Sequence, residues 1–245
     1  MGKVERKIAE APARTLKGIV LFDRLDDAER QRLEATCQWR TYRPGQPVIE
    51  SGSDGREVLF VVRGAVNIIN FSPSRREVAF AIAREGDYFG ELAAIDQLPR
   101  SASAVAVEES FLAALPSEVF VDLLKRRVEV TFRVLQGLAH MVRTSDVRIM
   151  ELSTLPATQR VYAELLRMAV PDAAVPTLWV VRPLPPLREV ASRVSTTRET
   201  VARALSQLYP TGLLRRKGRN LYLMDRRRFE EIANALQSRS GRSED

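Results

Sequence analysis

The sequence predicts an α+β protein in three parts: a β-barrel or sandwich, a long helix, and a pair of short helices followed by a β wing. Three observations predict it. Before residue 115, turn-forming clusters (RPGQ, SGSDG, RGAV, NFSPSRRE, REGD) separate the short β-prone runs PVIES, VLFVV, AVNIINF, EVAFAIA, SAVAV and FLAAL. From PSEVF onward the apolar spacing turns helical, and no proline interrupts the chain from Ser117 to Met150. Further on, LREVASRVSTTRETVARALSQL reads as two short helices meeting at Val194-Ser195-Thr196, with LLRRKGRNLYLM behind them as two strands around Lys217-Gly218.

Each element has its own warrant. A helical preface over Asp26 to Cys37 precedes the strands. Many short strands with regular turn signals are the mark of an all-β barrel or sandwich. Ser117 follows Pro116 and is placed to cap the long helix. Along that helix Val134, Leu138, Met141, Val142, Ile149 and Leu152 recur at threes and fours, with one polar gap at Thr144, Ser145 and Asp146. Such a stripe packs on its own domain or forms a seam against a second copy. TQRVYAELLRMAV is amphipathic, and LWVV reads as a strand. The expected divisions are 18–115, a β-barrel domain; 116–155, a long helix and hinge; and 156–236, a helix-turn-helix with wing.

Composition narrows the function. At 245 residues and 45% hydrophobic, the chain can bury a core for one large or two modest domains. It has one cysteine, Cys37, and one histidine, His140, which excludes a disulfide framework, a cysteine-ligated cluster within the chain and a multi-histidine metal site. A catalytic constellation of nucleophile and base is not visible, so an enzyme is not expected. No apolar run reaches membrane-spanning length. MGKVERKIAEAP is polar, and Arg6 stands where a myristoylation signal wants Ser or Thr. A cytoplasmic location is expected, and the tail SRSGRSED reads as disordered. Between Arg182 and Arg228 twelve lysines and arginines face three acids, a local +9 against +7 for the whole chain. Concentrated positive charge of this kind suits phosphate binding.

In the helix pair, Ala191 is small where the helices must approach, and Thr196 or Thr197 can cap the second helix. Val201, Leu205 and Leu208 lie on its core side. Arg198, Glu199 and Arg203 lie on the other side. Arginine can pair bidentately with guanine and glutamate can accept from cytosine, so this surface can read a major groove. The bland alternative is a solvated amphipathic helix pair. The segment resembles the helix-turn-helix of the cyclic-AMP receptor protein/FNR family of bacterial transcription regulators, and TTRETVARALSQL is similar to that family's recognition helix. One departure is Ser195, where many such turns use glycine. The resemblance implies DNA contact by Thr196, Thr197, Arg198, Glu199, Thr200 and Arg203, with Lys217 of the wing near a phosphate. It also implies a palindromic double-stranded operator whose half-site resembles TGTGA.

A second stretch, GDYFGELAAIDQLPRSASAV, sets one acid, Glu91, and one base, Arg100, among small and apolar residues. An arginine can hold a cyclic phosphodiester by charge-assisted hydrogen bonds, and a carboxylate can accept from a ribose 2′-hydroxyl. A surface ion pair is the plainer account. The string FGELA…PRSA resembles the phosphate-binding cassette of cyclic-nucleotide-binding domains, whose fold is a jelly-roll barrel. The resemblance implies a site of Phe89, Gly90, Glu91, Leu92, Ala93, Arg100 and Ser101, with Thr144 and Ser145 of the long helix at the base. Cyclic AMP is the first expected ligand and cyclic GMP the second, with no metal. The resemblance, running from about Gly18 to Leu236, further implies a homodimer that meets successive major grooves about 34 Å apart and engages RNA polymerase. The alternatives are a cyclic-GMP regulator, or one of the same fold with a different effector or none.

Overall fold

The computed structural model describes residues 13–71, 77–175 and 177–234. The polar N-terminal stretch, the tail SRSGRSED and most of the NFSPSRRE turn lie outside the described residues, as do the last two positions of the expected third domain. The chain divides into two compact units, 1–70 with 80–138, and 71–79 with 139–245. Each is described by itself.

In the N-terminal unit, a 3₁₀ turn at Val20–Phe22 and helix α1 (Asp27–Thr36) precede the strands. Asp26 caps α1 by accepting from the Glu29 N–H at 2.8 Å. Strands β1 (Gln38–Tyr42), β2 (Pro47–Ile49), β3 (Val58–Arg63), β4 (Ala65–Phe71), β5 (Glu77–Arg84), β6 (Tyr88–Phe89), β7 (Ser103–Ala106) and β8 (Ser110–Leu115) follow, with helix α2 (Glu91–Asp96) between β6 and β7. They form two four-stranded sheets, ordered β1-β8-β3-β6 and β2-β7-β4-β5. The expected barrel does not close. The two sheets instead share one core, because Leu59, Val61, Leu112 and Ala114 of the first meet Val66, Ala83, Ala104 and Ala106 of the second.

The period-two geometry of a strand explains the all-apolar runs VLFVV and FLAAL. The alternate residues Val58, Phe60, Ala113 and Leu115 point the other way, into a second core with α1, Phe120 and Leu123. A sheet covered on both faces needs apolar residues at consecutive positions, which removes the usual alternation. β1 (QWRTY) and β6 carry no clear strand signal of their own. They form because β1 pairs with β8 from Gln38↔Ala114 to Tyr42↔Ser110, and β6 pairs with β3.

The expected single helix from Ser117 is two. Helix α3 (Ser117–Arg126) ends at Arg127, whose backbone is extended at φ −120°, ψ 92°. Helix α4 then runs from Val128 to Thr154. The Arg127 guanidinium donates to Glu29 of α1 at 2.9 Å, so a tertiary ion pair sits at the break. Ser117 is not the cap either: Pro116 takes the cap position and makes no side-chain cap bond.

In the C-terminal unit, helix α5 (Ala157–Met168), strands β9 (Val170–Pro171) and β10 (Trp179–Val181), helices α6 (Leu187–Arg193) and α7 (Arg198–Leu208), strands β11 (Leu214–Lys217) and β12 (Asn220–Leu223), and helix α8 (Arg226–Asn234) follow in order. The sheet order is β11-β12-β10-β9. One core gathers Val161 and Leu165 of α5, Val190 of α6, Val201 and Leu205 of α7, Leu221 of β12 and Phe229 of α8. The architecture is therefore a β-rich N-terminal domain, a long helix and a winged helix-turn-helix domain.

Candidate functional site

The segment from Gly86 to Ser101 folds as turn, short strand, short helix and return loop. Gly90 takes φ 86°, a left-handed conformation open to glycine. A Cβ there would stand 2.5 Å from Arg100 Nη1 and 3.2 Å from the Glu57 carbonyl oxygen. Glycine is therefore required twice, for the turn and for close approach of the arginine. Glu91 opens α2 and is buried at 7% exposure, and Phe89 and Ala93 are buried with it.

Arg100 is 5% exposed and is held from both ends. Its backbone N–H donates to the Ser53 carbonyl at 2.9 Å, and its carbonyl accepts from the Gly52 N–H at 2.8 Å. Its Nη1 donates to the Gly90 carbonyl at 3.0 Å, and its Nη2 donates to the Glu57 carbonyl at 2.7 Å and to Glu57 Oε2 at 3.3 Å. Burial lowers the Arg100 guanidinium, while the Glu57 and Glu91 carboxylates act the other way. Burial pushes the Glu91 carboxyl above the ordinary glutamate range, although its own backbone N–H and Arg100 pull it down. Burial would also raise Glu57, yet its own backbone N–H, Arg40 and Arg100 together hold it below that range. Leu92 is half-buried and Ser101 is exposed, with its carbonyl accepting from Asn70. The segment thus sets one buried cation and one buried acid beside main-chain N–H groups, a pairing that suits a mono-anion carrying a hydroxyl.

Sequence reasoning missed Glu57 and Arg40, which sit in and before the strand-forming region and lie 43 residues or more from Arg100 in the chain. No local pattern marks them. Thr144 and Ser145 are exposed positions of α4 in the C-terminal unit.

In the helix-turn-helix, Thr197 is the α7 cap and accepts from the Thr200 N–H at 3.2 Å. Thr196 is buried, and its N–H donates to the Ala191 carbonyl at 2.9 Å. Ser195 sits at φ 52°, the left-handed conformation that glycine usually takes in such a turn. Arg160 of α5 secures that turn: its Nε donates to the Val194 carbonyl at 3.0 Å, its Nη2 to the Ser195 carbonyl at 3.3 Å, and its Nη1 to the Leu155 carbonyl at 2.8 Å. Val201, Leu205 and Leu208 are buried, which leaves Arg198, Glu199 and Arg203 exposed. The Glu199 carboxyl is lowered by its own backbone N–H and by Thr197. The wing is the hairpin of β11 and β12, with Lys217 opposite Asn220 and Gly218 at φ 60° in the turn. Arg215, Arg216, Lys217 and Arg219 are all exposed on it. A helix that presents arginine and glutamate, flanked by a basic hairpin, has the chemistry of a groove reader.

Residues 39–127 match the cyclic nucleotide-binding domain family, and residues 159–232 match the Crp-like helix-turn-helix domain family. The chain is 31% identical over 221 residues to the cyclic AMP receptor protein of Thermus thermophilus, covering 90% of this chain and all of that one. The chain belongs to the CRP/FNR family of transcription regulators. Among solved structures, FixK2 of Bradyrhizobium japonicum is similar at a TM-score of 0.63 and 26% identity, over 80% of this chain and 96% of that one. The Xanthomonas campestris regulator CLP, described as c-di-GMP responsive, shares the fold at a TM-score of 0.66 and 22% identity, over 81% of this chain and 99% of that one. The CRP/FNR architecture accounts for the order of the two domains along the chain. Its DNA-binding and cyclic-nucleotide-binding domains coincide with the two regions where the charged side chains above gather.

Proposed function

We propose that this chain is a homodimeric, cyclic-AMP-controlled transcription regulator rather than an enzyme, working in the cytoplasm without a metal. The observation that carries the reading is the cluster of Gly90 with the buried Glu91 and Arg100. A buried guanidinium and a buried carboxylate lie beside the first N–H groups of α2. Arg100 holds the cyclic phosphate, Glu91 accepts from the ribose 2′-hydroxyl, and Ser101 adds a hydroxyl beside the phosphate. Phe89, Gly90, Leu92 and Ala93 wall the site. Thr144 and Ser145 meet the base, and their hydroxyls can donate or accept, so cyclic GMP is the second ligand to test. The relative from Thermus thermophilus, which is named for cyclic AMP, supports the first choice.

The dimer seam in this reading is α4. Phe132, Leu135, Val142 and Ile149 are exposed there at 54% to 61%, and a second copy would cover them. Thr196, Thr197, Arg198, Glu199, Thr200 and Arg203 then meet one half-site, with Lys217 at the backbone. The ligand acts only by favouring the state that binds DNA, from which RNA polymerase is recruited or blocked.

A second reading has a specific observation behind it: Arg100 already has carbonyl and carboxylate partners within the protein. A regulator of the same fold with another effector, or none, fits that arrangement. A thiol redox input is disfavoured, because Cys37 is buried and burial, with Glu34, pushes its thiol up to about 12. Calorimetric titration with cyclic AMP and with cyclic GMP separates the readings. Saturable binding of either supports the pocket and ranks the signals. Heatless titrations with both, on a protein that still binds DNA, favour the second reading.

A further inference from the structure

We propose that Glu57 is a built-in competitor for the phosphate at Arg100, and that Arg40 receives its carboxylate when the phosphate arrives. The inference rests on the reading of the pocket as a cyclic-phosphate site. The Glu57 carboxylate is divided between two arginines: Oε1 accepts from Arg40 Nη1 at 3.1 Å and Oε2 from Arg100 Nη2 at 3.3 Å. The Arg100 side chain is 4% exposed, whereas those of Glu57 and Arg40 are 30% and 37% exposed. The carboxylate thus reaches from the rim of the site to a buried cation.

An anion that takes an arginine by its side edge uses Nε and Nη2. Nη2 is the nitrogen that Glu57 Oε2 occupies. A Cβ at Gly55 would stand 3.2 Å from Oε2 and 3.7 Å from both Nε and Nη2, so the missing side chain leaves that edge open. The main-chain carbonyls of Gly90 and Glu57 are neutral and can stay in place beside a phosphate. Oε2 cannot, because two anions on one guanidinium repel each other. It is also the longest of the three contacts. A displaced carboxylate needs a cation and room. Arg40 is already on Oε1, and is itself steadied by a 2.7 Å bond from its Nη2 to Gln38 Oε1. Glu57 also borders a cavity of about 240 Å³ that Gln38, Arg40 and Arg56 help to line. Entry of the phosphate would turn Glu57 from Arg100 toward Arg40 at this cavity, whose lining also holds the acid Glu118, and the affinity of the site would be set by the exchange.

The test is calorimetric titration of cyclic AMP into the full chain, at fixed ionic strength, for the wild type, Glu57→Gln and Arg40→Gln. Glu57→Gln is expected to bind about two- to fivefold more tightly, the size of a partly exposed ion pair. Arg40→Gln is expected to bind more weakly by a similar factor, because Glu57 is left with Arg100 alone. Opposite signs cannot come from general loosening, which weakens both. A wild type that binds, with Glu57→Gln unchanged or weaker, overturns the competition and leaves the pocket reading intact. Arg40→Gln unchanged or tighter overturns the role of Arg40, and it decides alone if Glu57→Gln does not fold. Binding by Glu57→Gln but not by the wild type supports the competition in its strongest form. If both melt cooperatively and neither binds, the pocket reading fails and the competition fails with it.

Discussion

The buried cluster at Arg100 and Glu91 and the exposed face of α7 treat charge in opposite ways. In the cluster Arg100 and Glu91 are buried, and Arg100 is tied to Glu57, Gly90, Gly52 and Ser53. On α7, Arg198, Glu199 and Arg203 are exposed, and the helix alone sets their spacing. A buried charge is costly unless several neighbours compensate it, so a pocket is a collective arrangement. An exposed charge remains hydrated and needs only a scaffold. Substitutions in the pocket should therefore couple to one another, while those on α7 and the wing should act nearly independently.

The strongest attempt to break this contrast is Arg100→Leu. It is expected to abolish calorimetric nucleotide binding while leaving weak, salt-sensitive DNA binding. Retained nucleotide affinity would remove Arg100 from the site.

Glu91→Gln comes next, with two expected effects of opposite benefit. Nucleotide affinity falls, on the order of tenfold for the loss of a charged hydrogen bond. The ligand-free protein, by contrast, becomes more stable at neutral pH. A carboxyl raised in the fold holds its proton longer there than in the unfolded chain. Its contribution to stability is therefore complete below the ordinary 4.5 and is lost as pH rises through the raised folded value. Thermal melts across that window should slope less steeply in Glu91→Gln than in the wild type. Identical slopes would show that burial of Glu91 costs the fold nothing.

On the DNA side, Arg203→Ala is expected to cost about 1–3 kcal/mol on an operator with an intact G·C pair and much less on one with that pair swapped. Lys217→Ala should weaken binding evenly across sequences and lower the salt slope by about one. Gel-shift titrations at two salt concentrations separate the two. Equal losses on both operators for Arg203→Ala would make it a phosphate contact.

The smallest expected effect is Ser195→Gly. Relief of the left-handed backbone at φ 52° should stabilise the C-terminal domain by up to about 1 kcal/mol. Operator affinity should stay the same, since the Arg160 bonds run to main-chain carbonyls that glycine keeps. A lower melting temperature would show that the serine side chain stabilises the turn by more than the strain costs.

Local patterns in the sequence carried a good part of this structure. The turn clusters and β-prone runs located six of the strands, and the helical spacing located α5, α6 and α7. Among the elements without a local signal are β1, whose QWRTY lies against β8, the two-residue strands β6 and β9, created by pairing with β3 and β10, and helix α8. The break at Arg127 was hidden for the same reason, since the ion pair to Glu29 spans 98 positions of the chain. Closure was left open, because strand number and turn spacing are alike in a barrel and a sandwich, and only pairing along the edges separates them.

What the sequence by itself determined is the outward face of α7. Helix geometry is local, so burying Val201, Leu205 and Leu208 obliges Arg198, Glu199 and Arg203 to point away from the core. What only the tertiary structure decided is the company of Arg100. Its carboxylate partner stands 43 positions earlier in the chain, brought close by the loop before β3. A buried cation takes its partners from whatever the fold places around it, and no periodicity in the chain encodes that choice.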